Sequence, residues 1–120
     1  MATLENTQLS MIKGDSRVLN LHFSDSNGAD INITGWTIFL TIKKVATDTD
    51  EKALVKKDVT VHTNPSLGQT QITLAPTDTS AIPAGKYPFD IQAKTDTDEI
   101  VTVVKGTYTI EQDITRRSIV

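Results

Sequence analysis

The 120-residue sequence contains no cysteine. Disulfides, thiolate metal sites and cysteine nucleophiles are therefore excluded. Histidine occurs only at His22 and His62, too few for a three-histidine zinc site. Aromatics are scarce, with one Trp, two Tyr and three Phe. Gly and Pro together number ten, far from a fibrous or low-complexity composition. No excess of basic charge exists: 12 Lys and Arg stand against 15 Asp and Glu, a net charge of −3. That balance argues against a nucleic-acid binder working by counterion release. No apolar run approaches the roughly 20 residues of a membrane-spanning helix, and the N-terminus lacks the apolar core of a signal peptide. The length suits one domain over residues 1–120, with arms at 1–10 and 114–120 that extend from it.

What the sequence has in abundance is threonine, nineteen in all. A β-branched, half-polar side chain suits the outer face of a strand. The apolar pattern agrees. Trp36, Ile38, Leu40 and Ile42 alternate with Thr37, Phe39, Thr41 and Lys43, a period of two. Leu19, Leu21 and Phe23 alternate with Val18, Asn20 and His22. Val55, Lys57, Val59 and Val61 alternate with Lys56, Asp58, Thr60 and His62, with Lys57 the one imperfect position. Ile72 and Leu74 flank Thr73, and Tyr87, Phe89, Ile91 and Ala93 alternate with Pro88, Asp90, Gln92 and Lys94. Residues 100–110 read as a strand bent by a bulge near Gly106, and 8–13 as a weaker strand. Turns fall at Asp25-Ser26-Asn27-Gly28, at Asn64-Pro65-Ser66-Leu67-Gly68 and at Asp96-Thr97-Asp98-Glu99. Residues 45–54 read as an exposed loop or one helical turn. This spacing predicts an all-β fold, an immunoglobulin-like antiparallel β-sandwich of about seven strands. Tyr87 follows a turn and occupies the place of a corner tyrosine, whose hydroxyl bonds back to upstream backbone. Phe89 takes the inward position that a cysteine takes in antibody domains, and Trp36 opens an early central strand.

Chemistry-bearing groups are sparse. Asp96, Asp98 and Glu99, and Asp48, Asp50 and Glu51, offer carboxylates to calcium, but neither loop has the glycine and the spaced glutamate of an EF-hand. They read as solvated turns, and the repeat of Thr-Asp-Thr-Asp-Glu at 47–51 and 95–99 reads as one polar turn composition used twice. Asp90 is the acid inside a strand, on the polar face near Lys86 and Gln92. A glycosidase needs two carboxylates at a fixed separation in a cleft, which the pattern does not offer. His22 and His62 fall on polar strand faces as surface residues. Nucleophile elbow, phosphate loop and dinucleotide fingerprint are all missing. The basic pairs Lys43-Lys44, Lys56-Lys57 and Arg116-Arg117 make no stripe. No catalytic, cofactor-binding or metal-binding residue is assigned, no cofactor is expected, and the chain reads as a non-enzyme.

Residues 13–115 resemble, in order, a family of small phage tail and baseplate domains. They are similar to the N-terminal domain of baseplate upper proteins of phages of Gram-positive bacteria. The landmarks are Lys13-Gly14-Asp15-Ser16 leading into 18–23, then Asp30-Ile31-Asn32-Ile33-Thr34-Gly35-Trp36, then Gly68-Gln69-Thr70-Gln71-Ile72-Thr73-Leu74. Asp78-Thr79-Ser80-Ala81-Ile82-Pro83-Ala84-Gly85-Lys86-Tyr87-Pro88-Phe89-Asp90-Ile91 follows, then Val103-Val104-Lys105-Gly106-Thr107-Tyr108-Thr109-Ile110 and Asp113-Ile114-Thr115. The Ala-Gly-Lys-Tyr corner together with the Lys-Gly-Thr-Tyr-Thr-Ile strand is the most distinctive part. The resemblance implies a non-enzymatic immunoglobulin-like virion protein, made in the host cytoplasm, that docks to other phage tail or baseplate proteins, with a homo-oligomer among its possible states. Neither nucleic acid nor membrane is implied as a partner. Longer members carry a helical or receptor-binding portion that this sequence does not include, so receptor binding is not implied. The alternative function is a carbohydrate- or host-surface-binding β-sandwich, for which Phe39, on the face opposite Trp36, is the residue to inspect. The 114–120 segment, with Arg116, Arg117 and the apolar Ile119 and Val120, reads as a frayed terminus or as an arm that adds a strand to a neighbour's edge.

Overall fold

The computed structural model describes residues 4–114. Seven strands form two sheets: β1 (Leu4–Ile12), β2 (Arg17–His22), β3 (Thr37–Ile42), β4 (Val55–Val59), β5 (Gln69–Leu74), β6 (Gly85–Lys94) and β7 (Ile100–Glu111). The larger sheet has the order β1-β7-β6-β3-β4, and the smaller is the pair β2-β5. Alternation decides which face is covered. Ile38, Leu40 and Ile42 of β3 are buried while Thr37, Phe39 and Thr41 are half-buried. Phe89, Ile91 and Ala93 of β6 are buried likewise, and Thr70, Ile72 and Leu74 of β5 point inward between exposed Gln69, Gln71 and Thr73. These side chains join Leu19, Phe23, Ile33, Tyr108 and Ile110 in one core between the sheets. The all-β sandwich is as expected.

Four strand pairs are antiparallel, but β1 runs parallel to β7, so the sheet is not wholly antiparallel. Periodicity reports which face a residue takes and not which strand lies beside it. From Leu4 onward the stretch expected to be an arm is β1, in register with β7 through Leu9–Tyr108 and Met11–Ile110. Residues 1–3 and 115–120 lie outside the described residues.

One local expectation is refined and another corrected. The irregularity in the β6–β7 ladder falls between Ile91 and Gln92, opposite 102–104 and a few residues before Gly106, while the β1–β7 ladder shifts register between Leu4 and Thr7, opposite Val104 and Gly106. Gly106 is glycine for another reason: a Cβ there would collide with the backbone of Thr7. The correction is β4, which ends at Val59, leaving Val61 84% exposed and turning His62 inward. Within residues 45–54 a single 3-10 turn forms over Asp50–Lys52, in line with the sequence. A four-residue helix, α1 (Pro76–Thr79), precedes the turn into β6. Asp78 organises it, its carboxylate accepting the Ala75 N–H at 2.6 Å and pairing with Lys57 at 2.8 Å.

Candidate functional site

The aromatic residues singled out from the sequence are structural. Trp36 is buried and meets Phe23 edge-on, centroids 5.8 Å apart and planes at 77°. Phe89 meets Tyr108 in the same way at 5.6 Å and 88°. Burial pushes the Tyr108 phenol pKa up, and its hydroxyl lies 3.5 Å from the Met11 sulfur. The Tyr87 hydroxyl donates to the Pro83 carbonyl, four residues upstream, which is the corner geometry expected. Phe39 lies half-buried on the outer face of the larger sheet, with Asp58 and Gln92 as cross-strand neighbours. It lines none of the clefts described below.

The two histidines differ. His22 is exposed, with Nε2 2.7 Å from Asp30 Oδ1. His62 ties the two sheets together. Its Nε2 donates to the Trp36 carbonyl at 2.8 Å, and its Nδ1 lies 2.8 Å from the hydroxyl of buried Thr70. A carbonyl can only accept, so the neutral ring carries its proton on Nε2 and Nδ1 accepts from Thr70. The expectation of a surface histidine at position 62 therefore fails. The pattern put it on a polar strand face, whereas the strand stops short and the ring satisfies two inner polar groups. The signal in the sequence was Thr70, a hydroxyl in an inward slot of β5 that needed a partner.

The acidic loops do not converge. Among the described residues, no three His, Asp or Glu side chains come together. In the first loop Lys43 donates to the Asp48 carbonyl at 2.8 Å and to Asp50 Oδ1 at 2.9 Å. The hydrogen bond from Lys43 holds the Asp50 carboxyl below the usual carboxylate range. In the second loop the Thr95 hydroxyl accepts the N–H groups of Thr97 and Glu99, and Asp98 takes a left-handed φ of 66° to close the hairpin. The two Thr-Asp-Thr-Asp-Glu copies thus fold differently, a 3-10 turn against a hairpin tip.

Asp90 sits between its cross-strand neighbours Thr41 and Lys105 on the outer face of the larger sheet. It opens into a shallow cleft of about 280 Å³, also lined by Lys43, Ala46 and Pro88. Burial pushes its pKa up against the pull of Lys43 and Lys105. The acid that acts on it, Asp50, is itself paired with Lys43, so a free carboxylate couple for acid–base work is not assembled here. Arg116 and Arg117 lie outside the described residues.

The remaining features are edges. β1 and β4 bound the larger sheet, and β2 and β5 each leave one side unpaired. Between β4 and β5 runs a cleft lined by 57–61 and 71–73. On the opposite side a groove of about 380 Å³ opens between β1 and β2, its floor formed by Leu9, Leu19, Leu21, Ile91 and Val104 and its β2 side carrying Arg17, whose side chain also bonds Tyr108. Nothing in the alternation pattern identified this groove. The trace it left is Val18, an apolar residue in an outward slot beside Asn20 and His22, 46% exposed.

No family model matches the sequence. No curated protein matches it either. Among solved structures the chain is similar to the N-terminal domain of ORF48 of phage TP901-1, with a TM-score of 0.51 and 13% identity. The match covers 93% of this chain and 95% of that one, so the likeness is of whole fold to whole fold.

Proposed function

We propose that this chain is a non-enzymatic structural module of a phage tail or baseplate, an adaptor that works through contacts with other virion proteins. The observation that carries this reading is the end-to-end likeness to a phage protein domain, over 93% of one chain and 95% of the other. The ordered sequence landmarks from Lys13 to Thr115 support the same reading. The chemistry of the surface is compatible: the distinctive aromatics are spent on the core and the corner, while unpaired strand edges remain as assembly surfaces.

The test is compositional. Particles purified from a lysate on a density gradient are digested and analysed by mass spectrometry, and a tagged copy is located with gold-labelled antibody. The expected result is the chain at stoichiometric copy number with label at the tail. Abundant chain in the infected cell and none in washed particles would refute a place in the virion.

A further inference from the structure

We propose that β4 is a pairing edge for a second copy of this chain, joining the two larger sheets antiparallel about a two-fold axis at Lys57. The inference goes beyond the virion reading and holds or fails without it.

The backbone limits how a strand can add here. Lys43 N–H donates to the Pro88 carbonyl, so along β3 the odd-numbered residues aim their backbone groups at β6. Ile38, Leu40 and Ile42 therefore aim theirs at β4, where they meet Val59, Lys57 and Val55. Lys56 and Asp58 are left with N–H and C=O groups directed off the sheet, at an edge where no further strand lies. An antiparallel copy of β4 can bond only by setting its own outward-directed residues opposite these.

The side chains then choose the register. Lys56 and Asp58 are exposed on the outer face of the sheet, across from Thr41 and Phe39. Among the described residues neither side chain enters a hydrogen bond or an ion pair. Lysine on an edge strand ordinarily keeps other strands away. Here an acid follows two positions later on the same face, and an antiparallel copy presents that order reversed. With the axis at Lys57, each Lys56 faces Asp58 of the second copy, and each such pair exchanges both of its backbone bonds. An axis at Lys56 would set lysine against lysine, and an axis at Asp58 would set acid against acid. One register is favoured and the adjacent ones are penalised. The other edges lack this self-complementarity: β1 carries an acid and no base, β2 carries Arg17 and no acid, and β5 carries no charge.

The surroundings of the axis oppose no bare like charges. Lys57 points inward and its Nζ pairs with Asp78 Oδ2 at 2.8 Å, so the two copies meet there as ion pairs. Asp50, which is also drawn to Lys56, is already held by Lys43 at 2.9 Å. β5 lies alongside β4 in the other layer, and its two copies face each other across the axis with uncharged side chains. The same register carries Val61, 84% exposed beyond the end of β4, toward Ala53 of the second copy.

Reversing the charges tests the register itself. By sedimentation velocity the unmodified chain is expected to show a monomer–dimer equilibrium at about 500 μM, since an edge contact of this kind is small. Lys56→Asp and Asp58→Lys, both at exposed positions and checked for unchanged circular dichroism and Tm, are each expected to weaken association about tenfold. Mixing these two variants should restore pairing, because an acidic edge then meets a basic one. The double variant Lys56→Asp/Asp58→Lys only reverses the order and should associate with itself again. Lys57→Cys, in a chain with no other cysteine, should form a disulfide dimer on mild oxidation, since the axis places two Cα atoms about 4.5 Å apart. An unmodified chain that stays monomeric refutes the proposal and leaves the edge to a strand of a different protein. Single variants that associate like the parent, or a mixture that does not regain pairing, refute it as well.

Discussion

Replacing Gly106 with alanine tests the β1–β7 pairing more sharply than any deletion of a contact. Gly106 has no positive φ, so alanine meets no backbone penalty there. On that ground alone Gly106→Ala should stabilise the protein by about 0.4–1 kcal/mol, because the unfolded chain loses freedom. The structure predicts the opposite sign. The new methyl group would fall on the backbone oxygen and nitrogen of Thr7, within the parallel β1–β7 ladder. Backbone cannot swing aside as a flexible side chain can, so β1 must move away locally. The expected cost is about 3 kcal/mol, the upper part of the usual range for overpacking. For a domain of this size that lowers Tm by roughly 10 °C. Gly28→Ala is the matched comparison. Its φ is +82° with nothing within 4 Å of the added methyl, so it carries only the left-handed penalty of about 1–2 kcal/mol. Thermal unfolding by circular dichroism gives the magnitudes. Amide exchange of 7–12 locates the effect, since protection should fall in β1 first. A Gly106→Ala protein as stable as the parent or more stable, with β1 protection intact, would show that β1 does not approach β7 as described.

Other perturbations address single polar contacts. Tyr87→Phe removes the hydroxyl that donates to the Pro83 carbonyl and should cost about 1 kcal/mol in urea melts with the fold unchanged. His62→Ala leaves the Trp36 carbonyl and the buried Thr70 hydroxyl without their partner, and should cost about 2 kcal/mol, partly restored in His62→Gln. Asp90 has a folded-state pKa above its unfolded value. The unfolded chain therefore gives up this proton first as pH rises, and the group's contribution to stability declines until the raised folded pKa is passed. Asp90→Asn should then be more stable than the parent at pH 7 and lose that advantage below about pH 4, near the free carboxylate value, as read from denaturant midpoints at both pH values.

Strand faces were legible in the sequence because burial on one side imposes a period of two. Each of the seven strands falls within, or overlaps, a stretch where alternation or a short apolar run marks it. The corner was legible for a similar reason, since a tyrosine after a turn of Pro, Ala and Gly has local backbone within reach. What local pattern cannot express is a relation between distant strands. Gly106 breaks the alternation of β7, and the break looks like a bulge until Thr7, 99 positions earlier by the numbering, is seen lying against it. His62 looked external because the alternation put it on the polar face with Thr60, opposite Val59 and Val61. Its role depends on Trp36, just before β3, and on Thr70 of β5, which are far apart in the sequence.

The groove between β1 and β2 was hidden for a related but distinct reason. A groove is not made by the residues that line it: Leu9, Leu19, Leu21 and Val104 are ordinary inward-facing strand residues, and in a sandwich of equal layers all four would lie in the closed core. They line an open slot only because five strands face two. That ratio follows from β1 joining β7 at the edge of the larger sheet instead of extending the smaller one beside β2. The same pairing that Gly106 permits by lacking a side chain therefore also leaves β2 with an open edge. If β1 were displaced in Gly106→Ala, the loss of stability and a loss of amide protection in β1 should appear together, whereas Tyr87→Phe, at a corner bonded only to its own upstream backbone, should lower stability and leave β1 protection untouched.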